Sequence, residues 1–156
     1  MATDMYLKFE GPEIAGSATA PGHEKEIELL SWSHGFAQPT SPTRSGGGRE
    51  QANHANLTFT KYLDAATNEL LKFCWSGKQI AKATISCFRD VDGQPAKYLT
   101  IFMEHVMIAN YSISGGPGDL PVENVSLDYG IIQYNYIDQR RPPMAATHNL
   151  ENHTVS

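Results

Sequence analysis

The sequence predicts a mainly β domain with a single short helix. Extended segments recur along its 156 residues, and 13 Gly and 9 Pro indicate many turns between them. Apolar residues make up 40% of the chain, which is enough to form a core. Helical spacing of apolar residues occurs at one place. The length suits one domain and leaves no room for a binding module joined to a separate enzyme of ordinary size.

Three strands are predicted in the first half of the chain. Asp4–Phe9 alternates apolar and polar residues, which is typical of a strand with one buried face. Glu24–Phe36 is longer, and its apolar phase shifts at Leu30. Such a shift requires a bulge or a strand covered on both faces by different partners. Leu57–Leu63 alternates again and predicts the third strand.

The helix is predicted to follow. Its apolar stripe consists of Leu70, Leu71, Phe73 and Cys74. Either Asp64 or Thr67 caps the N-terminus, and Gly77 ends the helix. Because so short a helix is marginal alone, we expect it to pack against a sheet.

Further strands are predicted in the second half at Ala81–Arg89, Ala96–Ile113 and Val122–Ile137. The first two are joined by Asp90–Gly93, whose Asp-Gly pair favours a tight hairpin.

Two polar segments are expected outside the strands. Pro39–Gln51 is rich in Ser, Gly and Pro and is too long for an ordinary hairpin loop, and loops of this kind tend to be disordered or functional. The predicted domain therefore covers 1–138 with an extended loop at 38–53, and 139–156 is a polar tail.

Charge and composition disfavour several classes of function. The net charge of −5 argues against nucleic-acid binding, which needs a basic surface. No apolar run approaches the roughly 18–20 residues of a membrane-spanning helix. Met1–Glu10 lacks the basic start and apolar stretch of a signal peptide, so we expect no use of the general secretory route. A disulfide between Cys74 and Cys87 is possible, but two reduced cytosolic thiols are the simpler expectation.

A search for catalytic or metal-binding residues predicts none, and no cofactor. Six histidines are scattered along the chain at positions 23, 34, 54, 105, 148 and 153, without the spacing of a zinc site. His105 follows Glu104 on a predicted strand, so the two side chains point to opposite faces, and we expect His105 to be a half-buried sheet residue. Gly46–Gly48 and Gly115–Gly118 lack the strand, helix and Gly-Lys-Ser/Thr context of a nucleotide-binding loop.

Surplus apolar residues are the most unusual feature. Leu99–Ile108 is apolar on both faces, and Val122–Ile137 changes its apolar phase midway. In a small antiparallel barrel one face of each strand normally meets water. Contact with another subunit explains the surplus, and so does an irregular pattern within a compact barrel. Periodicity alone weighs these two explanations equally.

Several stretches form a recognisable combination between Asp4 and Ile137. They are DMYLKFEG at 4–11, GS at 16–17, GH at 22–23, EIELLSWSHG at 26–35, FTKYLD at 59–64, CWSGK at 74–78, VENVSLDY at 122–129 and QY at 133–134. In this order they resemble the Hcp family, the haemolysin-coregulated tube protein of the bacterial type VI secretion system.

This resemblance implies a two-sheet antiparallel β-barrel with one helix at its side, assembling into hexameric rings around a channel. The rings stack into a tube inside a contractile sheath, and small effector proteins travel in the lumen. The implied partners are further copies of the chain, the VgrG spike, sheath and baseplate proteins, and effectors. Neither nucleic acid nor membrane insertion is implied. The protein would assemble in the bacterial cytoplasm and be expelled into the extracellular space or a target cell by sheath contraction, as a structural subunit and not an enzyme.

The resemblance also suggests functional residues. If Leu30, Trp32 and Phe36 pack in the core, Ser31 and Ser33 face outward, and we expect them to face the lumen. The extended loop would reach a neighbouring subunit or ring through Gln38, Arg44, Gly46, Gly47, Gly48, Arg49 and Glu50.

Two alternatives remain from the residues. One is a monomeric β-barrel that binds a carbohydrate or lipid, and the other, more remote, is a small hydrolase that uses His34 or His105. Near the C-terminus, where the family often carries an aromatic residue followed by Asn or Asp, this chain has Thr147-His148-Asn149.

Overall fold

The computed structural model describes residues 4–38, 52–137 and 144–156, with only the backbone at Met144. Twelve strands and one helix lie in these ranges: β1 Asp4–Glu10, β2 Ile27–Glu28, β3 Ser31–Ser33, β4 Phe36–Ala37, β5 Asn53–His54, β6 Leu57–Tyr62, α1 Thr67–Ser76, β7 Ile80–Val91, β8 Gln94–Ser114, β9 Val122–Asp128, β10 Ile131–Tyr136, β11 Met144–Asn149 and β12 Thr154–Val155.

Two antiparallel sheets share the long strand β8. The larger sheet has the strand order β12-β11-β10-β8-β7-β1-β2, and the smaller one consists of β3, β6, β9 and the second half of β8. The hairpin β4–β5 forms a separate two-stranded sheet. This confirms the predicted mainly β fold with two antiparallel sheets and one helix. The barrel is not closed, because among the described strands β2 and β12 each pair with one neighbour and leave an open edge.

The phase shifts in the sequence mark the places where the chain changes sheet. In β8 the buried residues Ile101 and Met103 are followed by Val106 and Ile108, so the inward positions change from odd to even. The change occurs at His105, whose φ of +55° turns the strand from the larger sheet into the smaller one. A bend within the chain thus accounts for apolar residues on both faces, and a second subunit is not needed to explain them.

The other two shifts have the same origin. Val122–Ile137 is divided by a turn at Gly130 into β9 of the smaller sheet and β10 of the larger one. Glu24–Phe36, predicted as one strand, is in fact three short strands that pair with three different partners. Leu30, at the break between the first two, is 42% exposed.

Local turn signals predicted two boundaries correctly. Val91 pairs with Gln94, so the turn between β7 and β8 consists of Asp92 and Gly93 alone. Their φ angles of +52° and +80° are those that a type I′ hairpin requires. Gly77 ends α1 in the left-handed conformation, with its N–H donating to the Phe73 carbonyl at 3.1 Å.

The start of α1 differs from the prediction in detail. The N-cap position is Ala66, which has no side-chain oxygen. Asp64, two residues before this position, provides a side-chain acceptor at the start of the helix, because its Oδ1 accepts the Ala66 N–H at 3.0 Å. Thr67 is the first helical residue, and its hydroxyl accepts the Asp64 N–H at 3.1 Å. The helix packs on β8 with Leu70 fully buried.

The segment expected to be a polar tail contributes two strands to the larger sheet. β11 pairs along the whole of β10, from Ile131 opposite Asn149 to Tyr136 opposite Met144, and β12 pairs with β11. Backbone hydrogen bonds extend a sheet even where the side chains are polar, which is why composition did not reveal these strands.

Gly16 is a position where the backbone has no room for a side chain. A Cβ there would lie 2.5 Å from the carbonyl oxygen of Glu26, a backbone atom that is held by the Ala18 N–H at 3.0 Å. We expect Gly16→Ala to lower the free energy of unfolding by about 1–3 kcal/mol, measured by urea denaturation. Gly116→Ala is the matched control, because a Cβ there meets nothing within 4 Å. Equal effects of the two substitutions would contradict the assignment.

Candidate functional site

The middle of the outer face of the smaller sheet carries short, uncharged polar side chains across four strands. Along β6 and β9 they alternate with the buried residues Leu57, Phe59, Val125 and Leu127. We call this surface the hydroxyl–amide face, and it consists of Ser31, Ser33, Thr58, Thr60, Asn110, Ser112, Asn124 and Ser126.

Hydrogen bonds between neighbouring strands order this face. The hydroxyls of Thr58 and Ser126 lie 3.0 Å apart, and Thr60 Oγ1 donates to Asn124 Oδ1 at 2.9 Å. Every side chain of the face can both accept and, through O–H or N–H, donate a hydrogen bond. The face can therefore contact a polar surface without selecting it by charge.

The structure places both predicted serines on this face. Ser31 pairs with Thr60 and Ser33 with Thr58, and both serines are exposed. We expected these serines to face outward because Leu30, Trp32 and Phe36 would pack in the core. That reason was wrong in part, since Phe36 is 53% exposed and Leu30 is exposed as well. Of the three apolar side chains opposite the serines, only Trp32 packs against the core.

Sequence reasoning missed the other six residues of the face. The alternation of Thr58 and Thr60 with apolar residues was visible in the sequence, and so was that of Asn124 and Ser126. The sequence does not show which strands lie beside β3, and the face cannot be assigned without knowing these neighbours.

The loop residues are almost entirely outside the described part of the chain. Gln38 is exposed after β4. Arg44, Gly46, Gly47, Gly48, Arg49 and Glu50 all lie in 39–51, outside the described residues, and their role stays a prediction.

A buried charge cluster lies on the inner side of the same sheet. Lys61 on β6 pairs with Glu123 on β9, and both side chains are fully buried. Lys61 Nζ contacts the Glu123 carboxylate directly and donates to Asp64 Oδ1 at 2.8 Å. The second Glu123 oxygen accepts the Tyr111 hydroxyl at 2.8 Å. Thr67 at the start of α1 donates to Glu123 Oε1 at 3.1 Å, so the cluster ties the helix to the smaller sheet.

The cluster also affects Tyr111. Burial, followed by the hydrogen bond and negative charge of Glu123, raises the pKa of Tyr111 far above its usual value, so this phenol stays a donor.

Three of the six histidines come together with two tyrosines beside the hairpin β4–β5. We call this set the histidine–tyrosine chain, and its members in order are Tyr134, His34, Tyr129, His54 and His148. The four successive contacts are His34 Nδ1 to Tyr134 OH at 2.6 Å, His34 Nε2 to Tyr129 OH at 2.8 Å, His54 Nδ1 to Tyr129 OH at 2.6 Å, and His54 Nε2 to His148 Nδ1 at 2.8 Å. Sequence spacing did not reveal this arrangement, because its members are up to 114 positions apart in the numbering.

The histidine–tyrosine chain borders a groove of about 1060 Å³ between the hairpin β4–β5 and the end of the larger sheet. The groove is lined by Phe36, Gln38, Ala52, His54, Ile132, Tyr134, Ala146, Thr147, His148, Asn152, His153 and Val155. Within the ranges that the structure describes, no group of three or more His, Cys, Asp or Glu side chains could hold a metal ion.

His105 lies on β8 with its side chain 46% exposed, in agreement with the half-buried sheet residue that the sequence predicts. It occupies the bend of β8, and its Nδ1 lies 2.7 Å from Glu151 Oε1. Cys74 and Cys87 are both free thiols. No helix in the described ranges has the length and apolar character to cross a membrane.

Comparisons with known proteins identify the family. The family model described as type VI secretion system effector, Hcp, matches residues 6–136. Protein hcp1 of Pseudomonas aeruginosa is 33% identical over 142 residues, which cover 90% of this chain and 86% of the relative. The crystal structure of Hcp1 from Salmonella typhimurium is 29% identical, with a TM-score of 0.84 and complete coverage of both chains. A type VI secretion effector from Yersinia pestis is 25% identical with a TM-score of 0.77, over 94% of this chain and 99% of the other.

These matches support the prediction of a type VI tube protein and do not support the monomeric ligand-binding barrel. Hcp proteins are secreted components of that system and form a structural family, not one known for enzymes. The match over residues 6–136 and the Pseudomonas relative together show that this chain belongs to the Hcp family of type VI secretion proteins.

Proposed function

We propose that six copies of this chain form a ring in which the hydroxyl–amide face lines a central channel. Membership of the Hcp family supports assembly of the chain with itself and with other components of the type VI system. The observation that carries the channel assignment is the face itself, which spans four strands and holds eight uncharged polar side chains on a well-packed interior.

The chemistry of the face favours a water-filled channel over a contact between subunits. The centre of a stable interface is enriched in aromatic and apolar side chains, and the hydroxyl–amide face has none. A neutral lining that can donate and accept hydrogen bonds also allows cargo proteins of either net charge to pass. The proposed cargo is a small folded effector protein, contacted first by Ser31 and Ser33.

Contacts between subunits are assigned to apolar side chains elsewhere. Four of them lie at the same end of the smaller sheet, where Tyr62 pairs with Val122 and the Leu63 N–H donates to the Pro121 carbonyl. We call this the end patch, and it consists of Tyr62, Leu63, Ile113 and Leu120, each between 42% and 62% exposed. Tyr62 is on the outer face, and Ile113, opposite Glu123, is on the inner side. Exposed apolar side chains concentrated in one region mark protein contacts, and we assign the end patch to a neighbouring copy. The spike, sheath and baseplate proteins complete the proposed set of partners.

Assembly is tested by the mass of the purified chain in solution. Light scattering on a size-exclusion column is expected to give about six times the chain mass of 17.2 kDa at high concentration. Because assembly depends on concentration, the fraction of rings should fall on dilution. Leu120→Asp in the end patch should shift the sample towards monomer, whereas Ser33→Arg should leave the mass unchanged. A sample that stays monomeric at every concentration would contradict the proposal.

A further inference from the structure

The histidine–tyrosine chain joins parts of the molecule that are remote in sequence. His34 lies between β3 and β4, His54 is on β5, and His148 is on β11 at the end of the larger sheet. The hydroxyl of Tyr129, in the turn between β9 and β10, lies between the first two rings. The contact between His54 and His148 therefore fastens the hairpin β4–β5 to β11.

A count of hydrogens defines the protonation state in which all four contacts of the histidine–tyrosine chain are hydrogen bonds. A neutral imidazole has one N–H and one bare nitrogen, and a phenol donates one hydrogen. The four contacts are all satisfied when the three rings are neutral and their hydrogens point the same way along the chain. Two directions meet this condition. In one of them Tyr134 donates to His34, His34 to Tyr129, Tyr129 to His54, and His54 to His148, and in the other every hydrogen bond is reversed.

Acid disrupts the contact between the two rings at the end. His54 Nε2 and His148 Nδ1 share one hydrogen across 2.8 Å. One added proton still leaves a donor facing an acceptor. When both rings are cationic, however, each of the facing nitrogens carries a hydrogen and the two rings repel each other. This contact cannot survive in the doubly protonated state.

The surroundings of the rings favour the neutral form. Burial lowers the pKa of His34 to about 4, against an opposing hydrogen bond with the Ala55 backbone and with a further lowering from His54. Burial and then the neighbouring His148 lower the pKa of His54. In the described part of the protein, the other titratable groups that face the histidine–tyrosine chain are Cys87 near Tyr134, Asp128 near Tyr129, and His153 across the groove.

The sign of the pH effect follows from these shifts. Because the folded state holds His34 and His54 with lowered pKa values, the unfolded chain binds more protons below about pH 6.5. The stabilisation by the neutral chain is fully present above that pH. It is lost as the pH falls from 6.5 towards the folded-state value of about 4 for His34.

A second contact holds the same C-terminal region and responds differently. His105 Nδ1 lies 2.7 Å from Glu151 Oε1 in the turn between β11 and β12. This contact joins a ring to a carboxylate, so it holds no second imidazole that could repel the first. Loss of the contact between His54 and His148 should thus loosen β11 and β12 while the turn at Glu151 stays attached.

We propose that the histidine–tyrosine chain is an acid-sensitive latch, whose protonation separates the hairpin β4–β5 from β11 and loosens the end strands β11 and β12 of the larger sheet, while the other paired strands stay in place. The short strand β12 has β11 as its strand partner among the described residues, and it would be released with it. This inference goes beyond ring assembly and does not depend on it.

Hydrogen exchange of the intact chain between pH 7.5 and 4.5, corrected for the intrinsic pH dependence of exchange, tests the latch. Protection of β11 and β12 amides is expected to fall about tenfold per pH unit for each proton taken up on opening. Amides of β7 should keep their protection over the same range, because β7 pairs with β1 and β8 along most of its length and contributes no residue to the latch. Constant protection of β11 down to pH 4.5, or loss of protection in β7 at the same pH, would overturn the proposal.

His148→Gln is the informative variant, because its amide oxygen can accept the His54 Nε2–H but cannot become cationic. It should weaken the pH dependence of β11 protection by about one proton, that is by about tenfold per pH unit. His23→Gln is the matched control, since His23 stacks on Tyr6 away from the latch. Equal pH dependence in the His148→Gln variant and the wild type would refute the latch.

A titration by NMR keeps the test decisive if the variant folds poorly. In the wild-type protein, the ring signals of His34 and His54 should titrate below pH 6.5, together with the amide signals of β11. Titration of the rings without any change at β11 would refute the latch.

Discussion

Replacement of Lys61 by alanine is expected to lower the free energy of unfolding by about 3–5 kcal/mol. The reason is that Glu123 is fully buried and loses the cation that compensates its charge. Asp64 loses a partner at 2.8 Å at the same time, which also loosens the start of α1. Equilibrium unfolding in urea at neutral pH measures the effect.

Two further variants isolate the charge from the packing. Lys61→Met combined with Glu123→Leu replaces the buried pair by apolar side chains of similar volume. It should recover part of the lost stability, because it removes the uncompensated charge but leaves the Tyr111 hydroxyl without its acceptor. Lys72→Ala is the surface control, since Lys72 and Glu69 are 70% and 53% exposed and such pairs contribute about 0–1 kcal/mol. The interpretation fails if Lys61→Ala costs no more than Lys72→Ala.

A cysteine at position 33 is expected to be protected from bulky reagents once the protein has assembled into tubes. If the hydroxyl–amide face lines the channel, a thiol there reacts with a small maleimide, while a maleimide coupled to a large polyethylene glycol is excluded. The change is Ser33→Cys on a Cys74→Ser background, because Cys74 is a partly exposed thiol, whereas Cys87 is buried. Gel shifts after labelling measure the modified fraction.

Lys82→Cys provides the control in the same background. Lys82 is exposed on β7 of the larger sheet, away from the hydroxyl–amide face. A thiol there should react with both reagents in assembled tubes and in dissociated protein. Full reaction of position 33 with the large reagent in tubes would show that this face does not line an enclosed channel.

Local signals in the sequence predicted much of the fold. Most of the predicted strands, the Asp92-Gly93 hairpin and the end of α1 at Gly77 depend on neighbouring residues, and the structure agrees with them. The phase shifts were also real signals, but their cause was open. A shift in periodicity has the same appearance whether the strand bends into another sheet or meets another subunit. Only the pairing of β8 with three partners shows the bend at His105.

The buried pair could not be assigned from the sequence. Lys61 has the same parity as the inward-facing Leu57 and Phe59, and Glu123 has the same parity as Val125 and Leu127. Each charged residue therefore stood at a position where burial was expected, which is a usable signal. That the two face each other depends on the antiparallel register of β6 and β9.

The histidine–tyrosine chain was missed for the same physical reason. A search by spacing finds ligands or catalytic groups that lie on one helix or one loop. Here His34, His54 and His148 come from three elements that tertiary structure brings together. The family resemblance did not help, because it gave no role to these side chains.

Electron cryomicroscopy of the purified, assembled chain tests the central claim most directly. The account predicts a ring with sixfold symmetry in which Ser31, Ser33, Thr58 and Thr60 face the central channel and the end patch contacts a neighbouring copy. A ring that buries the hydroxyl–amide face between subunits, or that turns it to the outside, would contradict the account.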